Sequence, residues 1–302
     1  MRNSCARARP VDDPPGRQRL HDRRGAATVD SSTMLTLLRR LRGVARRTLL
    51  DIRLELLRHR LFGAPPSREV TVGGFRLRIT DGPNTYMQYK DECVRRIYAF
   101  RSERAAPFVV DGGANMGMFT LATLREHPGA RIVAFEPDPA IFAILRENLE
   151  LNGARGVTVV NAALGAIDGE MSFAPDGQAG GALAAGPLRV RVERLSRYLG
   201  EEVDFLKLNI EGAELDVIRE AAASGRLRRV RTMVIEYHGW PGGEQRLGPL
   251  LDLLDAEGYR YLLHDQDDQS NPATKPPFRA PGDQPWFALV YAWRVPRDGD
   301  AA

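Results

Sequence analysis

Val109–Gly117 reads VVDGGANMG. Two β-branched residues running into an acid and then glycines predict a buried strand that stops at Asp111. A tight loop follows, and a helix starts at about Gly117. Gly113 and Gly117 have no Cβ, so a ligand can approach the loop backbone closely. The helix behind the loop presents free N–H groups. An acid at the strand tip has the wrong sign for a phosphate site. It suits a cationic or hydroxyl-rich ligand.

Downstream of this stretch, strand and helix patterns alternate, as they do when helices flank a parallel sheet. Strands are predicted at Phe108–Asp111, Arg131–Phe135, Val157–Val160, Val203–Asn209, Val230–Glu236, Tyr259–Leu263 and Trp286–Trp293. Asp138 and Pro139 read as N-cap and first helical residue, and Gly153 as the residue past the C-cap. A β excursion over Glu170–Phe173 and Leu188–Val192 surrounds a DGQAGGALAAG loop, and residues 265–285 read as a further loop.

In an open parallel sheet, ligands sit at the carboxyl ends of the strands. Here those ends carry Asp111, Glu136, Asn161, Asn209 with Glu211, and Glu236 with His238. Buried parallel strands are otherwise apolar on both faces, so the polar tips stand out as a set. A carboxylate at Glu136, at the second strand end, can accept both hydroxyls of a ribose. With the acid at Asp111, this points to S-adenosylmethionine, which carries an amine, a sulfonium and a ribose. Gly112, Ala114 and Gly117 also fall on a dinucleotide GxGxxG pattern with one substitution. Asp111 would repel a pyrophosphate there, which disfavours that alternative.

The second constellation is FLKLNIEGAE at Phe205–Glu214. By the period of two, Lys207, Asn209 and Glu211 share one side of the fourth strand and its exit, and Glu236 and His238 share a side of the fifth. If the two strands are neighbours, Glu211, Glu236 and His238 converge. Lys207 in a buried strand requires a carboxylate partner, which favours a structural role for it. His238 as a neutral imidazole, then Glu211, are the candidate bases. A divalent metal on Glu211, Glu236 and His238 is the lesser reading, since their spacing matches no metal motif; the preferred site holds no metal.

Upstream, EVTVGGFRLRIT at Glu69–Thr80 alternates around Gly73-Gly74, a hairpin signal. Tyr86–Phe100 reads as a helix whose Tyr86, Tyr89, Glu92 and Arg96 overhang the ligand site or simply pack as a surface helix. Residues 34–62 place Leu38, Leu41, Ala45, Leu49, Ile52 and Leu56 at helical spacing, with arginines on other faces. That helix packs on its own domain or on a second copy; a weak contact with an anionic membrane surface is the sharper alternative. Residues 1–33 show no apolar period and read as a disordered tail, and translation starting at Met34 is one hypothesis for them. The expected organisation is a tail over 1–33, an extension over 34–104 and a catalytic domain over 105–296.

The charge is unevenly placed. Residues 1–62 hold 15 Arg/Lys against 6 Asp/Glu, a net of +9, which leaves −5 for the rest of a chain whose formal net charge is +4. The basic arm therefore argues little for specific nucleic-acid binding by the body. Cys5 and Cys93 form no metal or disulfide pattern, and no apolar run is long enough to span a membrane. No apolar segment follows the basic N-terminus, so no signal peptide is expected, and the expected location is cytoplasmic.

VVDGGANMG, AFEPDPAIFAILRENLELN, NAALG, FLKLNIEGAEL and IEYH come in one order over residues 105–240, and this set resembles the FkbM-type S-adenosylmethionine-dependent methyltransferases. The resemblance implies an α/β, class I (Rossmann-like) fold: a seven-stranded, mostly parallel sheet with helices on both faces. Here an N-terminal helix and a β-hairpin add to it. It implies S-adenosylmethionine at the tips of the first three strands, on Asp111, Gly113, Asn115, Gly117, Glu136 and Asn161. It also implies O-methylation of a hydroxylated small molecule such as a sugar, lipid or polyketide, with His238, Glu211 and Asn209 at the transfer site. The family carries Asp where this chain has Asn209, and Asn cannot act as a base. Two rivals follow: a catalytically weak donor-binding scaffold, and a nucleic-acid methyltransferase docked through the basic arm. The acidic body and the lack of an NPPY-like tetrapeptide disfavour the second.

Overall fold

The computed structural model describes residues 68–175, 181–182, 186–240, 242–264 and 286–295. The disordered tail, the helix at 34–62, most of the glycine-rich loop and the 265–285 loop expected from the sequence lie outside them. The described chain opens with strands β1 (Arg68–Val72) and β2 (Phe75–Ile79), joined through Gly73-Gly74 as an antiparallel hairpin. Val72, Phe75, Leu77 and Ile79 point into the same core as Val109, Ile132 and Leu145 of the main sheet and its helix. The outer edge of β2 would be left with unpaired backbone groups. Two side-chain amides one helical turn apart satisfy it. Asn148 bonds both the N–H (2.5 Å) and the C=O (3.1 Å) of Arg78, and Asn152 does the same to Arg76 (3.1 and 2.7 Å).

Helix α1 (Gly82–Gln88), with a proline in its first turn, continues as a π-helical segment over Tyr89–Arg95 and stops where Arg96 turns left-handed, φ +60°. The helix expected over 86–100 is thus shifted towards the N-terminus. Pro83 sets an early start, and the chain beyond Arg96 is irregular. Then come β3 (Phe108–Gly112), α2 (Met118–Glu126), β4 (Arg131–Phe135), α3 (Pro139–Leu151) and β5 (Val157–Val160). Asp138 caps α3 as its sequence position suggests, accepting the N–H groups of Ala140 and Ile141. A side sheet of β6 (Ala163–Gly165), β7 (Gly169–Pro175), β8 (Gly181–Ala182) and β9 (Leu188–Arg194) closes over Phe173, Val190 and Val192. The remaining elements are β10 (Val203–Leu208), α4 (Glu214–Ala223), β11 (Val230–Gly239), α5 (Leu247–Ala256), β12 (Tyr259–His264) and β13 (Trp286–Arg294).

The main sheet has the order β12-β13-β11-β10-β3-β4-β5. All neighbours are parallel except β13, which runs antiparallel to β11 and β12. This is the class I methyltransferase topology that the resemblance implied. Strands β3 and β10 are buried at every position, as central parallel strands must be. Strand order reverses around β3, so its carboxyl end, level with the ends of β10 and β4, faces the crevice where such sheets bind ligands.

Candidate active site

The loop after β3 is built by close packing. Gly113 has φ +80°, and a Cβ on it would lie 1.8 Å from the Asn209 carbonyl oxygen. A Cβ on Gly117 (φ +93°) would lie 2.7 Å from Leu145. Both glycines are therefore required by the protein's own backbone and core, a reason distinct from the ligand approach expected from the sequence. Asn115 is left-handed too, φ +50°, and its backbone N–H donates to Glu136 Oε2 (2.9 Å). Glu136 is buried at the tip of β4, and its Oε1 accepts the Asp138 N–H (2.9 Å). Burial pushes this carboxyl up to about 7, against the pull of those two backbone donors. Asn161, at the tip of β5, donates its amide to the carbonyls of Glu136 (2.8 Å) and Pro137 (3.1 Å) and so fixes the turn that carries Glu136.

Asp111 is fully buried. Its Oδ1 takes the Lys207 ammonium at 3.0 Å and its Oδ2 the Thr120 hydroxyl at 2.7 Å. Lys207 also donates to the Gly113 carbonyl at 2.8 Å. The partner that Lys207 required is thus the acid of the opening stretch, and Asp111 reaches the ligand loop through Lys207. Glu92, on the π-helical segment, turns inward toward this pair. Burial raises it to about 8, with Lys207 opposing and Asp111 and Glu236 adding to the rise. Of the other residues expected to overhang the site, Tyr89 packs under the hairpin turn at Gly73 and Arg96 pairs with Glu126 at 2.7 Å.

At the tips of β10 and β11 the expected convergence occurs. His238 Nε2 lies 3.5 Å from Glu211 and 3.8 Å from Glu236, and its Nδ1 lies 3.1 Å from Glu214. Glu211 is held at φ +57°, a strained position for a non-glycine residue that turns it towards the histidine. Glu214, the first residue of α4, also accepts the backbone N–H of Gly212 (3.0 Å). Burial alone would depress the imidazole. The Glu214 hydrogen bond and the charges of Glu214, Glu211 and Glu236 outweigh it and raise His238 to about 9. Against the expectation of a neutral imidazole, the three surrounding carboxylates favour the protonated form of His238, in which the ring holds carboxylates and offers no lone pair to a proton.

Tyr98 and Glu214 were not singled out from the sequence. The buried Tyr98 hydroxyl donates to Glu236 Oε2 and accepts from Asn209 Nδ2 (3.4 Å). A donor at position 209 is what this line of hydrogen bonds uses, which gives the Asn209 departure a physical role. Tyr98 lies in irregular chain with no periodic signal. Glu214 was legible as the acid three residues after Glu211, which a helix start brings back to the same loop. Among the described residues no group of three or more His, Cys, Asp or Glu side chains is arranged to hold a metal ion.

A sequence profile described as "Methyltransferase FkbM domain" matches residues 111–261, half of the 302-residue chain, from Asp111 through every strand-tip residue just described. The chain belongs to the FkbM methyltransferase family. The family uses S-adenosylmethionine, and the matched region is an S-adenosylmethionine-dependent methyltransferase domain. The chain is 35% identical to Methyltransferase 1 of Beauveria bassiana (strain ARSEF 2860), over 37% of this chain and 57% of that protein. It is 30% identical to the 31-O-demethyl-FK506 methyltransferase FkbM of Streptomyces tacrolimicus, over 54% of this chain and 76% of that protein. It is 29% identical to the 2-O-methyltransferase NoeI of Sinorhizobium fredii (strain NBRC 101917 / NGR234), over 50% of this chain and 72% of that protein. No helix of the described residues is long and apolar enough to cross a membrane.

Proposed function

We propose that this chain transfers the methyl group of S-adenosylmethionine to a hydroxyl oxygen of a small molecule. The observation that carries the reading is the meeting of Glu211, Glu236 and His238 at the tips of adjacent strands β10 and β11, beside the loop of β3. The names of the Streptomyces and Sinorhizobium relatives, both O-methyltransferases, support oxygen as the acceptor atom.

The residues at the tips of β3, β4 and β5 fit the donor. Glu136 is a buried carboxylate oriented by two backbone N–H groups, and each of its oxygens keeps a lone pair for a ribose hydroxyl. Asn161 fixes the turn beneath it, Asp111 and Lys207 brace the loop, and Gly113, Asn115 and Gly117 shape the seat. When bound, the donor supplies a methyl group on a sulfonium, a good leaving group. The chain's own task is then to align the acceptor hydroxyl and take its proton. Glu211, whose side chain is 24% exposed, takes that proton. The His238 imidazolium positions Glu211 and Glu236, and Tyr98 with Asn209 locks the far oxygen of Glu236.

Methyl-labelled S-adenosylmethionine, incubated with a panel of hydroxylated acceptors, tests the reading. Label in an alkali-stable ether product that fails to form with Glu211→Gln supports it. Label found on nitrogen, or equal turnover by Glu211→Gln, contradicts it.

A further inference from the structure

We propose that Trp240 and the carboxylates beside it form an acceptor platform that selects a hydroxyl-bearing ring without negative charge. The proposal rests on the methyl-transfer reading above and adds to it which acceptors the site admits. Trp240 follows His238 by two residues at the end of β11, and 46% of it is exposed, in contrast to the buried Tyr237 before it. Its indole lies nearly parallel to the His238 ring, centroids 6.2 Å apart and planes 18° apart. Gly212, next to Glu211, comes up against the indole edge: a Cβ there would lie 2.9 Å from Nε1. The ring, at the exit of β11, is thus seated against the turn that carries Glu211 and beside the His238 ring, and nearly half of the residue stays exposed. An aromatic surface of this kind binds the C–H face of a ring while leaving that ring's hydroxyls free for polar partners.

Those polar partners are acids. Glu211, Glu214 and Glu236 lie 3.5, 3.1 and 3.8 Å from the one His238 ring, so acidic side chains outnumber the basic one three to one in this cluster. Carboxylates accept hydrogen bonds from hydroxyls, and in a half-buried site they repel an acceptor carrying a phosphate or carboxylate of its own. Apolar contact with Trp240 thus favours ring acceptors, and the cluster's charge disfavours anionic ones.

Saturation-transfer NMR on the full chain, with S-adenosylhomocysteine bound, tests this with two probes of equal ring shape. Methyl α-glucopyranoside should bind through its C–H face, and methyl α-glucuronoside, whose carboxylate meets the acidic cluster, should bind about tenfold more weakly or not at all. Trp240→Ala should weaken the neutral probe about tenfold while Trp240→Phe keeps part of its affinity. Glu211→Gln should narrow the gap between the probes. S-adenosylhomocysteine should bind all three variants as it binds the wild type. Unchanged glucoside affinity in Trp240→Ala, equal binding of the glucuronoside, or no binding of the neutral probe at millimolar concentration would each overturn the proposal. Loss of S-adenosylhomocysteine binding in the wild type would instead strike at the donor site, so the two failures are distinguishable.

Discussion

Lys207 of β10 reaches Asp111 of the neighbouring β3 at 3.0 Å, with both side chains shielded from solvent. Removing one partner of a buried ion pair leaves an uncompensated charge, at a cost of about 3–5 kcal/mol. Lys207→Met should lower stability by about that amount, and Asp111→Asn with Lys207→Met together should lower it less. Urea denaturation of the single and double variants checks this. Equal stability of Lys207→Met and wild type would show that the pair holds nothing together.

The His238 imidazole is predicted to titrate at about 9, far above its free value of 6.5. Histidine-selective NMR over pH 6–10 reads it directly. Glu214→Gln removes the carboxylate hydrogen-bonded to Nδ1 and should bring the titration down; a wild-type imidazole that titrates near 6.5 would restore His238 as a base and remove Glu211 from that role.

Stability should fall as pH rises from about 5 to about 9. Glu136 and Glu92 are raised by burial from 4.5 to about 7 and about 8, and His238 is raised to about 9. In each case the folded chain binds its proton more tightly than the unfolded chain does. The stabilisation is complete below the unfolded value and disappears as pH passes the folded one. Melting temperature measured across this window should decline; a steady rise would contradict the assigned directions.

Asn148 holds the N–H and C=O of Arg78 in the hairpin edge and the Met116 carbonyl (2.9 Å) below the donor loop. Asn148→Leu strands the buried Met116 carbonyl and the half-buried N–H and C=O of Arg78, at about 1–3 kcal/mol. Amide exchange at Arg78 should accelerate in that variant. Unchanged protection would mean that the hairpin is held by its apolar face alone.

Much of the architecture was legible because the strands are short apolar runs ended by polar residues. Arg131–Phe135 and Val157–Val160 match their expected limits, and Asp138-Pro139 sets the start of α3 as its type requires. The α1 region was shifted because Pro83 acts locally while the apparent apolar period runs on to Phe100. Within the site, period two put Glu236 and His238 on one side of β11, while Glu211 lies past the end of β10 in a turn with φ +57° and joins them because the two strands are neighbours. The period could not give what depends on three-dimensional neighbours. Asp111 is occupied by Lys207, Gly113 makes way for the Asn209 carbonyl, and three carboxylates close around His238. Tyr98 reaches the cluster through a chain path with no period, so no sequence pattern could place it.

Methyl transfer at the Glu211–Glu236–His238 cluster requires a donor seated beside it, and the buried Glu136 is the most direct test of that seat. Titration calorimetry of S-adenosylmethionine against the wild type and Glu136→Gln measures it directly. The predicted result is saturable one-to-one binding that weakens in Glu136→Gln by about 1.5–3 kcal/mol, the scale of hydrogen bonds to a charged group. Equal affinity in the two proteins would contradict the placement of the donor at the tips of β3, β4 and β5.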